Sequence, residues 1–172
     1  MADRLTGILL VGGASTRFGV PKALARFQGE TLAERGWRVL GEACDEVLAV
    51  GKAADDLPLR FPVLDDGSSE RAPVFGVLAG LRAARHDVCV VLPVDCPAIT
   101  AEALRALGAA TAVAHTGPLP GAYAKAMLPL LEERVAGGLL SLRGVNPRTL
   151  ELDPALLADV DTPADLARLA AL

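Results

Sequence analysis

A single α/β domain of three layers, helices covering both faces of a mostly parallel central sheet, is the fold class that this 172-residue chain predicts. Three observations point to it. Short runs that are apolar throughout recur along the chain, as strands buried on both faces require. Helical patterns separate these runs one by one, which is what parallel neighbours need for their crossovers. The length suffices for one sizeable core, and no linker, internal repeat or low-complexity tract divides it.

The elements follow in order. TGILLV, residues 6–11, is an apolar strand that stops at Gly12 and Gly13. Residues 31–43 set Leu32, Trp37, Val39 and Leu40 on roughly one helical face, with Thr31 as N-cap. A second strand is expected over 46–51, and a helix over 73–86 opened by Pro73 in its first turn. Residues 87–95, DVCVVLPVD, read as a third buried strand ending at Asp95. A helix over 100–107 has Thr100 as its cap and Glu102 in its first turn, and 109–116 reads as a further strand. A helix over 124–138 is closed by Gly137 and Gly138, and a last one over 162–172 starts from Thr162 and Pro163. The acidic, turn-rich stretch 51–73 is irregular and is expected to border a functional site rather than form a second domain.

Composition narrows the functions available. With 52% hydrophobic but only 3% aromatic residues, the core must be built from Ala, Leu and Val. A net charge of −4 provides no basic footprint for nucleic acid or for an anionic membrane surface, so any phosphate must be held locally by a few placed groups. Cys44, Cys89 and Cys96 show no paired-ligand spacing and are expected as buried small hydrophobes in a reducing compartment. The start of the chain has no signal-peptide layout and no apolar run approaches the ~20 residues of a membrane span, so a cytoplasmic location is expected.

Chemistry concentrates in GGASTRFGVPK, residues 12–22. A strand end needs one glycine to turn; here two adjacent glycines allow close approach to a ligand. Ser15 and Thr16 offer hydroxyls, Arg17 a bidentate fork for phosphate oxygens, and Lys22 a compact charge. Beside the glycines, Lys22 is expected to be unpacked. The loop is not a Walker A motif, because Gly19 and Lys22 are not adjacent and Ala23 follows the lysine; nor is it a dinucleotide fingerprint, because Pro21 opposes a helix running through it. In parallel sheets ligands sit beyond the C-terminal ends of the strands. That rule groups the glycine loop with Gly51, Lys52 and Asp95.

LLVGGASTRFGVPKAL resembles the nucleotidyltransferase signature, Leu-Ala-Gly-Gly, small residues, Arg-Met-Gly, then a lysine. Three further stretches make the resemblance specific to the molybdenum cofactor guanylyltransferases. APVFGVLAGL (72–81) is similar to their Gly-Pro-Leu-Ala-Gly helix start, VVLPVDCP (90–97) to their strand ending in Asp-x-Pro, and DVDTPADL (159–166) to their Asn-Val-Asn-Thr-Pro-Glu-Asp-Leu. Residues 117–145 also resemble the family's acceptor-side segment. Val11, Phe18 and Phe75 depart from the pattern in volume around kept glycines, and Asp159 and Asp161 stand where the family carries asparagines.

The resemblance implies a Rossmann-like nucleotidyltransferase fold, with a nucleotide-binding part over about 1–98 and an acceptor-binding part over about 99–172. It implies transfer of GMP from GTP to the phosphate of molybdopterin, with Mg²⁺ as cofactor and the possible help of molybdopterin-delivering proteins. Arg17, Lys22 and Asp95 are the implied catalytic residues. Leu10, Val11, Gly12, Gly13, Lys22, Val50, Asp66, Gly76 and Asp95 would contact GTP, with Asp65 an alternative to Asp66. Asp95 would hold the metal, with Asp161 a second metal candidate. A phosphate monoester nucleophile needs no general base, and His86 and His115 are read as helix-end and strand-end residues. Two alternatives stay open at this point: a cytidylyltransferase or other small-molecule nucleotidyltransferase of the same fold, and a non-catalytic nucleotide-binding protein. The absence of a hexapeptide repeat in the C-terminal half disfavours the long sugar-nucleotide enzymes.

Overall fold

The computed structural model describes residues 3–13 and 17–172. Among these residues nine strands and five α-helices follow in the order β1 (Leu5–Leu10), β2 (Arg26–Phe27), β3 (Glu30–Thr31), α1 (Leu32–Ala43), β4 (Glu46–Gly51), β5 (Val63–Asp65), α2 (Pro73–Ala83), β6 (Val88–Pro93), α3 (Ala101–Ala110), β7 (Val113–Ala114), β8 (Gly121–Ala124), α4 (Leu128–Ala136), β9 (Thr149–Leu150) and α5 (Pro163–Ala170). Seven strands form one sheet in the order β5–β4–β1–β6–β8–β7–β9, and β2 and β3 make a separate short hairpin. β8 runs antiparallel to both β6 and β7, whereas the β5–β4, β4–β1, β1–β6 and β7–β9 pairs are parallel.

β1 explains the three layers. All six of its residues are buried, because parallel strands at the sheet centre are covered on both faces. Leu5 and Leu9 enter one core with Leu32 and Leu40 of α1 and Leu104 and Leu107 of α3. Ile8 and Leu10 point the other way, into a second core with Val74, Val77 and Leu81 of α2 and Leu131 of α4. This is the α/β architecture with a mostly parallel sheet that the apolar runs predict.

Local signals set the helix starts. Thr31 and Glu34 form a reciprocal capping box on α1, Thr162 and Asp165 form one on α5, and the Thr100 hydroxyl accepts from the Ala103 N–H at the start of α3. Pro73 and Pro163 open α2 and α5.

The helix expected over 73–86 closes at Ala83, and three further places differ from expectation. The strand expected over 109–116 is only Val113–Ala114, because α3 continues to Ala110. The helix expected from 124 begins at Leu128, since Gly121–Ala124 is recruited as β8 between β6 and β7. The irregular stretch 51–73 contributes β5, the edge strand beside β4. Pairing with neighbouring strand edges fixes the extent of these short strands.

Candidate active site

At the C-terminal ends of β1, β4, β5 and β6 lies a cavity of about 430 Å³. Its wall includes Leu10, Gly12 and Gly13 from the end of β1, Val50, Gly51 and Lys52 from β4, Asp66 after β5, Gly76 in α2, Asp95 after β6, and Lys22. Several expected site residues therefore converge from sequence-distant segments. Leu10 packs so closely on α2 that a Cβ on Gly76 would stand 2.7 Å from its Cδ2.

Lys22 occupies a short 3₁₀ turn, Lys22–Leu24, entered from Pro21. Its Nζ donates to Asp161 Oδ1 at 2.9 Å and stands 3.7 Å from Asp95 Oδ2. The expectation of an unpacked loop lysine is corrected here: its side chain is only 15% exposed, closed in by these two carboxylates. Asp161 arrives through a backbone stitch, the Val160 N–H donating to Asp95 O at 2.9 Å, with Val160 itself buried. The capping box of α5 then holds Asp161 in place, as its N–H donates to Asp165 Oδ2.

The two carboxylates differ. Asp161 is 56% exposed and Asp95 30%. Burial pushes the Asp95 carboxyl above the usual carboxylate range; Lys22 opposes that shift, while Asp159 and Asp161 add to it. Among the described residues no group of three or more His, Cys, Asp or Glu forms a ready metal cage. Two carboxylates that meet at Lys22 nevertheless suit a hard cation such as Mg²⁺, which takes oxygen ligands, keeps several waters and uses only one or two carboxylates together with substrate phosphates.

On the β4–β5 side Asp65 and Asp66 separate cleanly. Asp65 is turned to the outside, accepting from the Ala53 and Gly67 N–H groups. Asp66 lines the cavity, its two oxygens each 2.8 Å from Lys52 Nζ and one of them also accepting from the Ser68 N–H. Gly67, at φ +74°, takes the left-handed turn that follows.

Other expected residues lie elsewhere. Val11 is 3% exposed within the α1–α3 core, and it reaches the site only through its backbone, donating to Val50 O at 3.0 Å. Arg17 is exposed and is not among the cavity-lining residues. Ser15 and Thr16 lie outside the described residues. His115 Nδ1 accepts from the Leu152 N–H, a structural contact.

The strand-end rule grouped Lys52 with the site but gave it no role, and sequence reasoning missed Arg71 and Leu119; all three line the cavity. Arg71 pairs through both guanidinium ends with Asp55, at 2.6 and 3.2 Å. Leu119 is carried in by the turn preceding β8, which no local pattern announces.

The chain matches the model of the MobA-like NTP transferase domain over residues 7–140. A Bacillus cereus (strain ATCC 10987 / NRS 248) protein named "Probable molybdenum cofactor guanylyltransferase" is 32% identical over 106 residues, covering 58% of this chain and 53% of that protein. The chain thus spans about half the length of the curated relatives it matches. Among solved structures, the molybdopterin-guanine dinucleotide biosynthesis protein A of Archaeoglobus fulgidus shares the fold with a TM-score of 0.77 at 23% identity, covering 96% of this chain and 97% of that one. The manganese complex of Rv0371c from Mycobacterium tuberculosis H37Rv shares it with a TM-score of 0.66 at 24% identity, covering 98% of each chain.

Proposed function

The chain belongs to the MobA-like NTP transferase family, and on that premise we propose that it transfers GMP from GTP to the phosphate of molybdopterin, releasing pyrophosphate. The names of the Bacillus relatives support guanylyl transfer to a molybdenum cofactor. The observation that carries the reading is Lys22, suspended between Asp95 and Asp161 in a cavity that Gly12 and Gly13 also line. It brings a cation, two hard-oxygen donors and close-approach backbone to one point, which is what a triphosphate requires.

In the proposed reaction an oxygen of the acceptor phosphate forms a bond to the α-phosphorus of GTP. The bond from that phosphorus to the bridging oxygen breaks, and pyrophosphate departs with the electron pair. Such transfers depend on positioning and on neutralising charge more than on covalent catalysis. Lys22 holds the triphosphate and stabilises the charge that develops on the leaving group. Asp95 and Asp161 would hold Mg²⁺, which supplies charge neutralisation at the phosphates; a divalent requirement draws support from the manganese complex of the related fold. Leu10, Val50 and Gly76 form an apolar floor for the base, with the Gly12 and Gly13 backbone beside it and Asp66 on the β5 side. We assign Arg17, which is exposed, an auxiliary phosphate-steering role.

The acceptor would enter from the side of residues 99–172, a reading supported by Leu119 in the cavity wall. Among the described residues no helix is long and apolar enough to cross a membrane, and a reducing cytoplasm that keeps the thiols free is part of the proposal.

The test is transfer of radiolabel from each of the four α-labelled NTPs onto molybdopterin, with chelated controls. Label from GTP alone, dependent on a divalent cation, is expected. Preferential label from CTP would make the protein a cytidylyltransferase, and nucleotide binding without transfer would make it a binding protein.

A further inference from the structure

Lys22 and Lys52 are two of the three lysines in the chain, and both line the cavity, yet their surroundings are opposite. Among the described residues Lys22 makes one contact of hydrogen-bond length, to Asp161. An ammonium has three N–H donors. Those of Lys52 are fully engaged: by the Asp66 carboxylate at 2.8 Å, by Ser68 O at 2.6 Å and by Glu70 O at 2.6 Å. The Lys52 side chain is 10% exposed and that of Asp66 8%, and the ammonium also sits 5.7 Å from the centre of the Phe75 ring. Gripping a phosphate would require breaking this set.

The three acceptors belong to the segment that runs from β5 into α2. Directly after them come Arg71, Ala72 and Pro73, which line the cavity, Pro73 being the first residue of α2. One ammonium at the end of β4 therefore holds the wall between two strand ends and a helix start. Three acceptors approaching from different directions suit a compact ammonium better than the flat fork of arginine, and lysine stands here in a chain where arginine is otherwise the usual cation. There is an electrostatic consequence. An unpaired carboxylate in a cavity meant for a polyanion would repel it; paired with Lys52, Asp66 presents acceptor oxygens with no net charge.

We propose that Lys52 is a positioning residue that seats Asp66 and the 66–73 wall for the nucleotide, governing nucleotide affinity without touching the reacting atoms. This rests on the reading of the cavity as a nucleoside triphosphate site.

The test compares the full chain with Lys52→Met, Lys52→Arg and the double variant Lys52→Met/Asp66→Asn. Equilibrium GTP binding with Mg²⁺, KM and kcat, and hydrogen exchange over residues 66–73 are measured for each. Lys52→Met is expected to weaken GTP binding by about ten- to a hundredfold, the range for groups that orient others, with the loss in KM rather than kcat and faster exchange in 66–73. Lys52→Arg should recover part of the affinity. The double variant should bind better than Lys52→Met because no stranded charge remains, and it decides the matter if the single variant fails to fold. Wild-type affinity in Lys52→Met, a loss confined to kcat, or a double variant no better than a folded Lys52→Met would overturn the positioning role while leaving the nucleotide site intact. A wild-type chain that binds no nucleoside triphosphate would overturn both.

Discussion

Lys22, Asp95 and Asp161 form a triad whose members are unequal, and the inequality gives each substitution its own signature. Lys22→Ala removes the cation that would meet the triphosphate, and loss of one such placed group typically lowers turnover by about two to three orders of magnitude. Because Lys22 is packed between two carboxylates, the same change should lower the melting temperature at neutral pH, which a solvated lysine would not do. Asp95 is the more buried carboxylate and its carboxyl is held above the ordinary range by that burial. A folded pKa above the unfolded one means that ionisation at neutral pH costs stability. Asp95→Asn should therefore abolish most activity while raising the melting temperature measured in chelator. Asp161→Asn, at an exposed position, should alter activity modestly and shift the Mg²⁺ optimum. Turnover against Mg²⁺ concentration, with parallel melts, checks all three; an active Asp95→Asn beside a dead Asp161→Asn would reverse the assignment.

Elements meet at β1, and glycines in the helices set how closely. In sequence a glycine within a helix reads as a weakness of about 1 kcal/mol relative to alanine. Here three serve an approach: a Cβ on Gly36 of α1 would lie 2.5 Å from Leu9, one on Gly80 of α2 2.5 Å from Ile8, and one on Gly108 of α3 2.5 Å from Leu5. Gly80 is the most constrained, because Ile8 Cγ2 would also stand at 2.9 Å and a β-branched side chain turns with difficulty. Overpacking of this kind costs about 1–3 kcal/mol. Gly80→Ala should on balance lose stability despite better helix propensity, as urea denaturation will show. The floor of the cavity should shift with it, since Gly76 lies one turn away in α2.

Across the whole molecule, small apolar side chains substitute for the missing aromatics, and the cysteines behave as part of that core. Cys89 and Cys96 are buried and Cys44 half-buried, and all three are free thiols. Burial pushes Cys44 and Cys89 up to about 12 and raises Cys96 as well, with Asp95 beside it adding to the shift. Thiolate is the reactive form. The native protein at pH 8 should consequently resist a thiol reagent such as 5,5′-dithiobis(2-nitrobenzoate), and reactivity should appear with the global unfolding transition. Rapid labelling of one thiol in the native state would expose a local opening. The one asparagine has an equally structural place: buried Asn146 donates to Thr111 O and Ala122 O and accepts from the Arg148 N–H, tying the end of α3 to β8 and the approach to β9.

What the sequence determined by itself is what is encoded within a turn or a strand. Apolar runs announced β1, β4 and β6; Thr31, Thr100 and Thr162 marked three helix starts; and the glycine loop, Lys22 and Asp95 stood out by type and by position at strand ends. Tertiary structure decided the rest. Val160 and Asp95 share a backbone hydrogen bond across 65 residues, and that contact brings Asp161 to Lys22. Asp66 rather than Asp65 faces the cavity because Lys52, at the end of a neighbouring strand, captures it. Gly121–Ala124 is a strand, and the one that runs against its neighbours, because β6 and β7 leave a place for it. Periodicity and capping act over a few residues and are legible in order; pairing of strand edges and of charges acts through space, where chain order carries little information.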